Sequence, residues 1–392
     1  MRMGLKKKIL LIIIYLTVSY LLLELGYTLL YRYGVIERPN TAWLFQESGK
    51  TVHFDPVPGV YLASAPSRFA RITRGEVEYD GLIRGNNRGF PDRDDFHPSR
   101  GSSGIRRIVV FGDSFTAAQY LESSWPDVVE ELSRETECPV YLLNLSIDGA
   151  GLANWWSILM RVVRKEHFEI DGIIFAVYGN NLRRKFTITE HRGYQHHMFG
   201  RTDSWNPDNW PKNREEARMY LKPAPFTYIL PDVEFNAALE SKIHPDLPRP
   251  WRPYLLLKLF WLGRRGGQSF SGLFSPATKL DGDENGAGCF QPGQIRLIEE
   301  IDSFARADSL PVLVINIPSR EGLIDGAVPP IDVLLFAEML NAVFIDGSTA
   351  FSGLNEKEIR SCFFPYDGHW NRNGSDRFAR ALFRRIQDWI CY

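Results

Sequence analysis

A short apolar run that ends abruptly on glycine constrains the fold of this chain more than any other feature. The run Ile108–Phe111 consists of four apolar residues, and Gly112, Asp113 and Ser114 follow at once. Such a run is typical of a strand that is buried on both faces of a parallel sheet. Gly112 permits a sharp turn, and Ser114 then lies where the next helix begins. Open α/β folds bind their ligands at this edge of the sheet.

Strand and helix signals alternate along most of the remaining chain. Strands are predicted at 106–111, 139–144, 172–177, 311–316 and 342–345, and helices at 124–135, 152–166, 292–308, 331–340 and 373–389. This alternation predicts a parallel central sheet that is covered by helices on both faces. The expected fold class is therefore α/β with three layers, α/β/α.

A carboxylate and a histidine lie close together near the other end of the sequence. Asp367 and His369 are two residues apart, just before the last predicted helix. A histidine that is oriented by a carboxylate can take the proton of a serine hydroxyl, which is the requirement of nucleophilic serine catalysis. An early Ser114 and a late acid–histidine pair predict a serine hydrolase or an acyltransferase.

Four segments, in this order, resemble the sequence blocks of the SGNH/GDSL hydrolase superfamily. They are Gly112-Asp113-Ser114, the glycine Gly149 after the second strand, Gly179-Asn180-Asn181 after the third strand, and Asp367-Gly368-His369 before the final helix. The segment Asn87–Phe90 also resembles the lead-in of many membrane-linked bacterial members. The resemblance covers residues from about 86 to 390, with one long interruption.

The resemblance implies a flavodoxin-like SGNH fold and a defined site without cofactor or metal. Ser114 would be the nucleophile, His369 the base, and Asp367 the group that orients the histidine. The backbone N–H groups of Ser114 and Gly149 and the side-chain amide of Asn180 would form the oxyanion hole. Relatives often carry aspartate at the position of Asn181 and one more residue between the acid and the histidine.

The motifs leave three functions open. The first is an extracytoplasmic esterase that removes an acyl group, with acetyl favoured, from a glycan or another cell-envelope substrate. The second is a polysaccharide O-acetyltransferase that uses the same triad and takes its acetyl group from a multi-pass membrane partner. The third is a non-catalytic glycan-binding or scaffold protein with a hydrolase fold. The esterase is favoured because it is the more general activity of the superfamily.

The N-terminal residues predict a single membrane anchor. Lys6–Lys8 precede the apolar run Ile9–Leu23, and with Glu24 the stretch extends to Tyr31. A helix over residues 9–31 is long enough to cross about 30 Å of hydrocarbon. Four positive charges within residues 1–8, at Arg2 and Lys6–Lys8, orient the N-terminus towards the cytoplasm, so the remaining chain is expected in the periplasm or outside the cell. Glu24 is costly there unless it reaches the interface or a second membrane protein.

The remaining residues divide into a lead-in segment and one large domain. Within the lead-in segment 32–104, residues 35–85 are rich in proline and aromatic residues and are expected to be irregular or to contain β-structure. The SGNH-like domain is expected over 105–392 with an insertion at 183–291. An insertion of this length is usually functional, and a lid or a substrate-binding subdomain is expected. Its tryptophans either stack on sugar faces or form a small core of the insertion: Trp205, Trp210, Trp251 and Trp261.

Two features resemble metal sites without completing one. His191, His196 and His197 lack an accompanying carboxylate or cysteine pattern, and the calcium-loop pattern that starts at Asp281 has Pro292 at its twelfth position. No metal is therefore expected. The net charge of −1 gives no indication of nucleic-acid binding.

The chain has four cysteines, Cys138, Cys289, Cys362 and Cys391, without a zinc-like spacing. In an oxidising compartment they allow up to two disulfides with three possible connectivities. The sequence does not choose among these pairings or exclude unpaired thiols.

Overall fold

The structure is a computed structural model that describes residues 5–32, 41–47, 52–101, 104–192, 196–224, 226–241 and 289–391. The chain forms two units, of which the second comprises Thr41–Ile243 and Asn285–Tyr392. The strands are β1 Thr41–Gln46, β2 Val52–His53, β3 Tyr61–Leu62, β4 Ser67–Thr73, β5 Glu76–Ile83, β6 Arg106–Phe111, β7 Val140–Asn144, β8 Gly172–Tyr178, β9 Thr187–Arg192, β10 His196–Arg201, β11 Lys222–Pro223, β12 Thr227–Leu230, β13 Val312–Ile317 and β14 Val343–Asp346.

Helices connect these strands. They are α1 Leu5–Arg32, α2 Ser114–Ala117, α3 Trp125–Ser133, α4 Leu152–Ile158, α5 Arg214–Ala217, α6 Asp232–Ser241, α7 Pro292–Ala307, α8 Arg320–Asp325, α9 Ile331–Met339, α10 Glu356–Ser361 and α11 Arg372–Cys391. A π-helical turn, Leu159–Val163, continues α4, and short 3₁₀ turns lie at Asn181–Arg183, Pro207–Asn209 and Gly347–Phe351.

The central sheet of the second unit contains five parallel strands in the order β14-β13-β8-β6-β7. This sheet confirms the predicted parallel α/β arrangement. Strand β6 lies between β7 and β8, so the direction in which successive strands are added to the sheet reverses at β6. The segments that follow these three strands therefore meet at the same edge of the sheet. A ligand site is expected at such a reversal point.

Helices cover both faces of this sheet because successive strand residues point to opposite sides. On one face, the side chains of Ile108 and Val110 pack into a cluster with Trp125 of α3 and Phe378 of α11. The other face, which includes Val109 and Phe111, packs against α4, α7 and α9. Both clusters are buried, and together they fix the height and tilt of β6, which ends at the candidate serine.

A second sheet joins the lead-in segment to the insertion. Its strand order is β12-β1-β4-β5, with β12 parallel to β1 and the other pairs antiparallel. The register pairs Trp43 with Thr227, although these residues are far apart in the sequence. A bulge between Arg71 and Ile72 interrupts the pairing of β4 with β5. The lead-in is therefore a folded sheet in the same unit as the central sheet.

The described tryptophans of the insertion are buried. Trp210 is 2% exposed and stacks on Phe186 at a centroid distance of 4.4 Å, and Trp205 is 9% exposed. Both belong to the hydrophobic core, so of the two roles that the sequence left open, sugar stacking or core packing, these two residues have the core role. Trp251, Trp261 and the acidic turn at Asp281 lie outside the described residues.

No group of three or more potential metal ligands lies together in the described parts of the chain. His191, His196 and His197 fall on the hairpin of β9 and β10, where the register pairs His197 with His191. The side chains of His196 and His197 are outside the described set.

The open edge of the central sheet is closed by side chains. Strand β7 is one of the two edge strands, and three of its backbone N–H groups donate to side-chain oxygens: Val140 to Ser133 at 3.1 Å, Leu142 to Glu130 at 2.6 Å, and Asn144 to Asp92 at 3.0 Å. Capping these donors prevents another strand from pairing there. Burial raises the pKa of Asp92 to about 7 and that of Glu130 to about 8.

Helix α1 spans Leu5–Arg32, and its described side chains are those of residues 11–27 and 29. Within the described portion of the chain, no helix has the length and mean hydropathy that crossing a membrane requires. Glu24, in this helix, is fully buried.

A disulfide joins Cys138, just before β7, to Cys391 at the end of α11, with the two Cα atoms 6.4 Å apart. Cys289 and Cys362 are free thiols, and Cys362 is buried. The structure thus selects one pairing from those that the sequence left open.

Candidate active site

Ser114 begins α2 immediately after β6. The turn requires a glycine at 112, because a Cβ atom there would lie 2.3 Å from Thr116 Oγ1. Asp113 caps the short helix by accepting a hydrogen bond from the backbone N–H of Phe115 at 3.1 Å. The serine is thereby presented at the edge of the sheet with its backbone N–H at the first turn of the helix.

The structure brings the three predicted triad residues together. Ser114 Oγ lies 2.7 Å from His369 Nε2, and His369 Nδ1 lies 2.6 Å from Asp367 Oδ2. Both distances are those of strong hydrogen bonds. With Nδ1–H donating to the carboxylate, Nε2 is the nitrogen that is free to accept the serine proton.

The loop that carries Asp367 and His369 is held from both ends. The backbone N–H of Phe364 donates to the carbonyl of His369 at 2.8 Å, which closes the loop. Gly368 lies inside it at φ +83°, a conformation that favours glycine. Trp370, fully buried, anchors the far end by donating from Nε1 to the carbonyl of Phe115 at 3.2 Å. This bond ties the histidine loop directly to the serine helix.

Neighbouring charges tune His369. Burial lowers the pKa of its imidazole below the ordinary value, because the charged form loses solvation. The carboxylates of Asp148 and Asp113 act in the opposite direction, whereas the guanidinium groups of Arg71 and Arg184 lower the pKa further. The imidazole is therefore neutral at neutral pH, the form that acts as a base.

The predicted oxyanion residues lie at the ends of the neighbouring strands. Gly149 follows β7 with φ +71°, and Asn180 directly follows β8. Arg184 Nε donates to Asn180 Oδ1 at 2.9 Å. Because the amide oxygen is occupied in this way, the NH₂ group of Asn180 is the part of the amide that can bind a developing negative charge.

Asn181 is a structural residue in the second position of its motif. It is fully buried, and its Nδ2 donates to Asp113 Oδ2 at 2.9 Å and to the carbonyl of Ala150 at 3.1 Å. Arg184 pairs with the same Asp113 oxygen at 3.1 Å. An amide suits this position because an aspartate would place a second carboxylate against Asp113.

Four charged residues near the site were not predicted from the sequence: Arg71, Glu78, Asp148 and Arg184. Arg71 forms an ion pair with Asp367, and Glu78 Oε1 accepts the backbone N–H of Asp367 at 2.9 Å. Arg184 could have been found, because it lies four residues after Asn180 at the exit of a predicted strand. Arg71 and Glu78 have no local signal, since only the tertiary fold brings β4 and β5 to the loop.

No family model matches this sequence, and the search of curated proteins found no match either.

Several solved structures are similar to part of this one. TesA has 11% identity and a TM-score of 0.35, with 72% of this chain and 99% of that chain covered. A lipase/acylhydrolase from Enterococcus faecalis has 12% identity and a TM-score of 0.33 over 72% and 96% of the two chains. Axe2, an acetylxylan esterase from Geobacillus stearothermophilus, has 12% identity and a TM-score of 0.36 over 74% and 95%. At these scores the likeness carries no inference about activity, which rests on the geometry of the site.

Proposed function

We propose that this protein is a membrane-anchored serine esterase of the SGNH type, which hydrolyses an acyl ester, with acetyl favoured, on a glycan or another cell-envelope substrate. The observation that carries the proposal is the continuous pair of hydrogen bonds from Ser114 through His369 to Asp367. A protein that only bound glycans would have no need of a serine aligned with a neutral, carboxylate-oriented imidazole.

In the acylation step, Ser114 Oγ attacks the ester carbonyl carbon and its proton passes to His369 Nε2. The resulting oxyanion is held by the N–H groups of Ser114 and Gly149 and by the Asn180 amide. The bond from carbon to the alcohol oxygen then breaks, and the imidazolium gives its proton to that oxygen. Asp367 stabilises the imidazolium while it exists. The products are a free alcohol and an acyl-serine.

In the deacylation step, water takes the place of the alcohol. His369 accepts one proton of the water while the water oxygen attacks the acyl carbon. The bond between the acyl carbon and Ser114 Oγ then breaks. The proton returns to Oγ, and the acid leaves. A sugar hydroxyl in place of water would instead produce an acylated sugar, so the two outcomes share every residue of the site.

The first test compares the full-length protein with its Ser114→Ala variant in the same detergent, with p-nitrophenyl acetate as substrate. We expect the variant to lose turnover by about 10⁴-fold or more without a change in melting temperature, since Ser114 is half-buried and, among the described residues, its Oγ bonds His369 alone. Ser157→Ala is the control, because this serine hydroxyl bonds the carbonyl of Val57 away from the site. Wild-type turnover in folded Ser114→Ala protein would contradict the proposal. Acetylated oligosaccharide among the products would assign a transferase instead.

The proposed location is a cell membrane, with the catalytic unit on the extracytoplasmic side. Lys6–Lys8 followed by the run Ile9–Leu23 support an anchor that leaves the N-terminus in the cytoplasm. The disulfide between Cys138 and Cys391 supports an oxidising compartment, because cytosolic proteins rarely keep disulfides.

Thiol alkylation in intact cells tests this location. We expect the protein to fractionate with membranes. When intact cells are quenched in denaturant that contains a maleimide, Cys138 and Cys391 should be alkylated only after a reductant has been added. Cys362 should react without reduction, since it is a free thiol. Recovery in the soluble fraction with all cysteines reduced would overturn the proposed location.

A further inference from the structure

We infer that Arg71, braced by Glu78, is a positioning residue for the triad: it holds the carboxylate of Asp367 from the lead-in sheet. This inference rests on the proposed function and names a residue outside the segments that resemble the superfamily. It assigns the sheet of β12, β1, β4 and β5 a role in the active site.

The two oxygens of Asp367 have different partners. Oδ2 accepts from His369 Nδ1, and Oδ1 forms an ion pair with the guanidinium of Arg71. A carboxylate that is held at both oxygens cannot rotate, so the imidazole keeps the tautomer and the angle that it needs towards Ser114.

Glu78 fixes both the arginine and the loop. Its Oε2 lies 3.0 Å from Arg71 Nε and accepts a hydrogen bond from Thr73 Oγ1 at 2.7 Å. Its Oε1 accepts the backbone N–H groups of Tyr366 and Asp367 at 2.8 and 2.9 Å. One carboxylate therefore joins β4 to the loop that bears the catalytic acid.

Burial makes these interactions strong. The side chains of Arg71, Glu78 and Asp367 are only 12%, 1% and 3% exposed. The guanidinium also lies over the ring of Trp43, 4.8 Å from its centroid. In so dry an environment, removal of the arginine leaves two carboxylates facing each other without a cation.

Charged groups from five segments face His369, so each must be considered in a pH profile. They are Asp367 in its own loop, Asp113 after β6, Asp148 after β7, Arg184 after β8, and Arg71 on β4. Of these, Arg71 contacts Asp367 directly and contributes a positive charge that lowers the pKa of the imidazole.

The test uses full-length protein in detergent with four variants: Arg71→Met, Arg71→Lys, the double variant Arg71→Met/Glu78→Gln, and the control Arg68→Met. Arg68 lies on the same strand and pairs with Asp80, but it does not contact the loop. The double variant removes the buried carboxylate of Glu78 together with Arg71, so no unpaired Glu78 charge is left to unfold the protein. Melting temperature, the pH profile of kcat, and the low-field proton NMR signal of His369 Nδ1–H are measured for each.

We expect Arg71→Met and the double variant to lose kcat by about 10²-fold, as expected for a misplaced catalytic group. The midpoint on the acidic side of their kcat–pH profile should move to higher pH, because the positive charge of Arg71, which lowers the pKa of His369, is gone. Arg71→Lys should restore the midpoint but not kcat, since an ammonium cannot reproduce the fork of a guanidinium. Arg68→Met should match the wild type.

Folded Arg71→Met protein with wild-type kcat and an unmoved midpoint would overturn the inference. If the wild type shows no serine-dependent turnover, the proposed function fails, but the NMR signal still decides this inference. Loss or displacement of the Nδ1–H signal in Arg71→Met, with an unchanged signal in Arg68→Met, supports the positioning role. An unchanged signal in Arg71→Met refutes it.

Discussion

At the scale of single residues, the charge around His369 determines the pH at which the site works. The imidazole lies between carboxylates and guanidinium groups and is itself partly buried, with 21% of its side chain exposed. Burial outweighs the carboxylates, so its pKa falls below its ordinary value. In the proposed mechanism the neutral imidazole is the base, so we expect activity to be retained down to a lower pH than an unperturbed histidine would allow.

We predict that kcat/KM of the wild type falls on the acidic side with a midpoint below about 6.5, the usual pKa of histidine. In Asp148→Asn the midpoint should move lower still, because Asp148 favours the imidazolium and its loss removes that effect. Asp302→Asn is the matched control, since Asp302 pairs with Arg306 within α7. A pH–rate profile checks both variants, and an upward shift in Asp148→Asn would contradict the prediction.

The residues of the site differ in how far the sequence could identify them. The alternation of strand and helix signals predicts that Ser114 follows a strand and that Asp367 and His369 precede the last helix. The structure places the three side chains within hydrogen-bond reach. The roles of Gly149 and Asn180 in an oxyanion hole stay a prediction. Arg71 could not be found, because an arginine in a short strand is ordinary until the packing shows that it reaches Asp367.

At the scale of elements, the outer strand β7 depends on buried acids. Glu130 and Asp92 accept hydrogen bonds from its backbone, and burial raises the pKa of both carboxyls. The native state therefore binds more protons than the unfolded chain between the ordinary pKa of a carboxyl, about 4, and the raised values. In this interval these two groups make the fold less stable as the pH rises.

We predict that Glu130→Gln becomes more stable, relative to the wild type, as the pH is raised from 5 to 8. The amide oxygen can still accept from Leu142, but the group no longer ionises, and the relative gain should be roughly 3 kcal/mol. Glu131→Gln is the control, because this neighbour also reaches Arg93 but is half exposed. Thermal unfolding at both pH values measures the difference. A relative stability that does not change with pH would refute this account of the edge.

The elements of the central sheet were predictable, and those of the lead-in sheet were not. Strands β6, β8 and β13 each contain a continuous apolar run of strand length, rich in β-branched and aromatic residues, and this composition and length identify them. Strands β1 and β12 pair across a large part of the chain, and neither has a hairpin turn to indicate its partner. Sequence patterns report local geometry, and this pairing is set by tertiary packing.

At the scale of the whole molecule, the second unit is held together by contacts between distant parts of the sequence. The lead-in contributes Arg71, the insertion contributes Arg184, and the loop before the C-terminal helix contributes Asp367 and His369 to one site. The insertion 183–291 begins three residues after the oxyanion-hole candidate Asn180, and its described residues supply core aromatics such as Trp210. Composition alone could not decide between a core and an exposed sugar-binding role for these rings.

The disulfide has a consequence for how this protein is made. It closes a sequence separation of 253 residues, and 255 residues separate Ser114 from His369. A ribosome adds about 5–20 residues per second, so the serine emerges roughly 10–50 s before its base. Throughout that interval the nascent chain holds a serine without its base, and until residues 227–230 have been made β1 also lacks its partner β12. The newborn chain is therefore chemically silent, and it needs protection from aggregation until the histidine loop and α11 arrive.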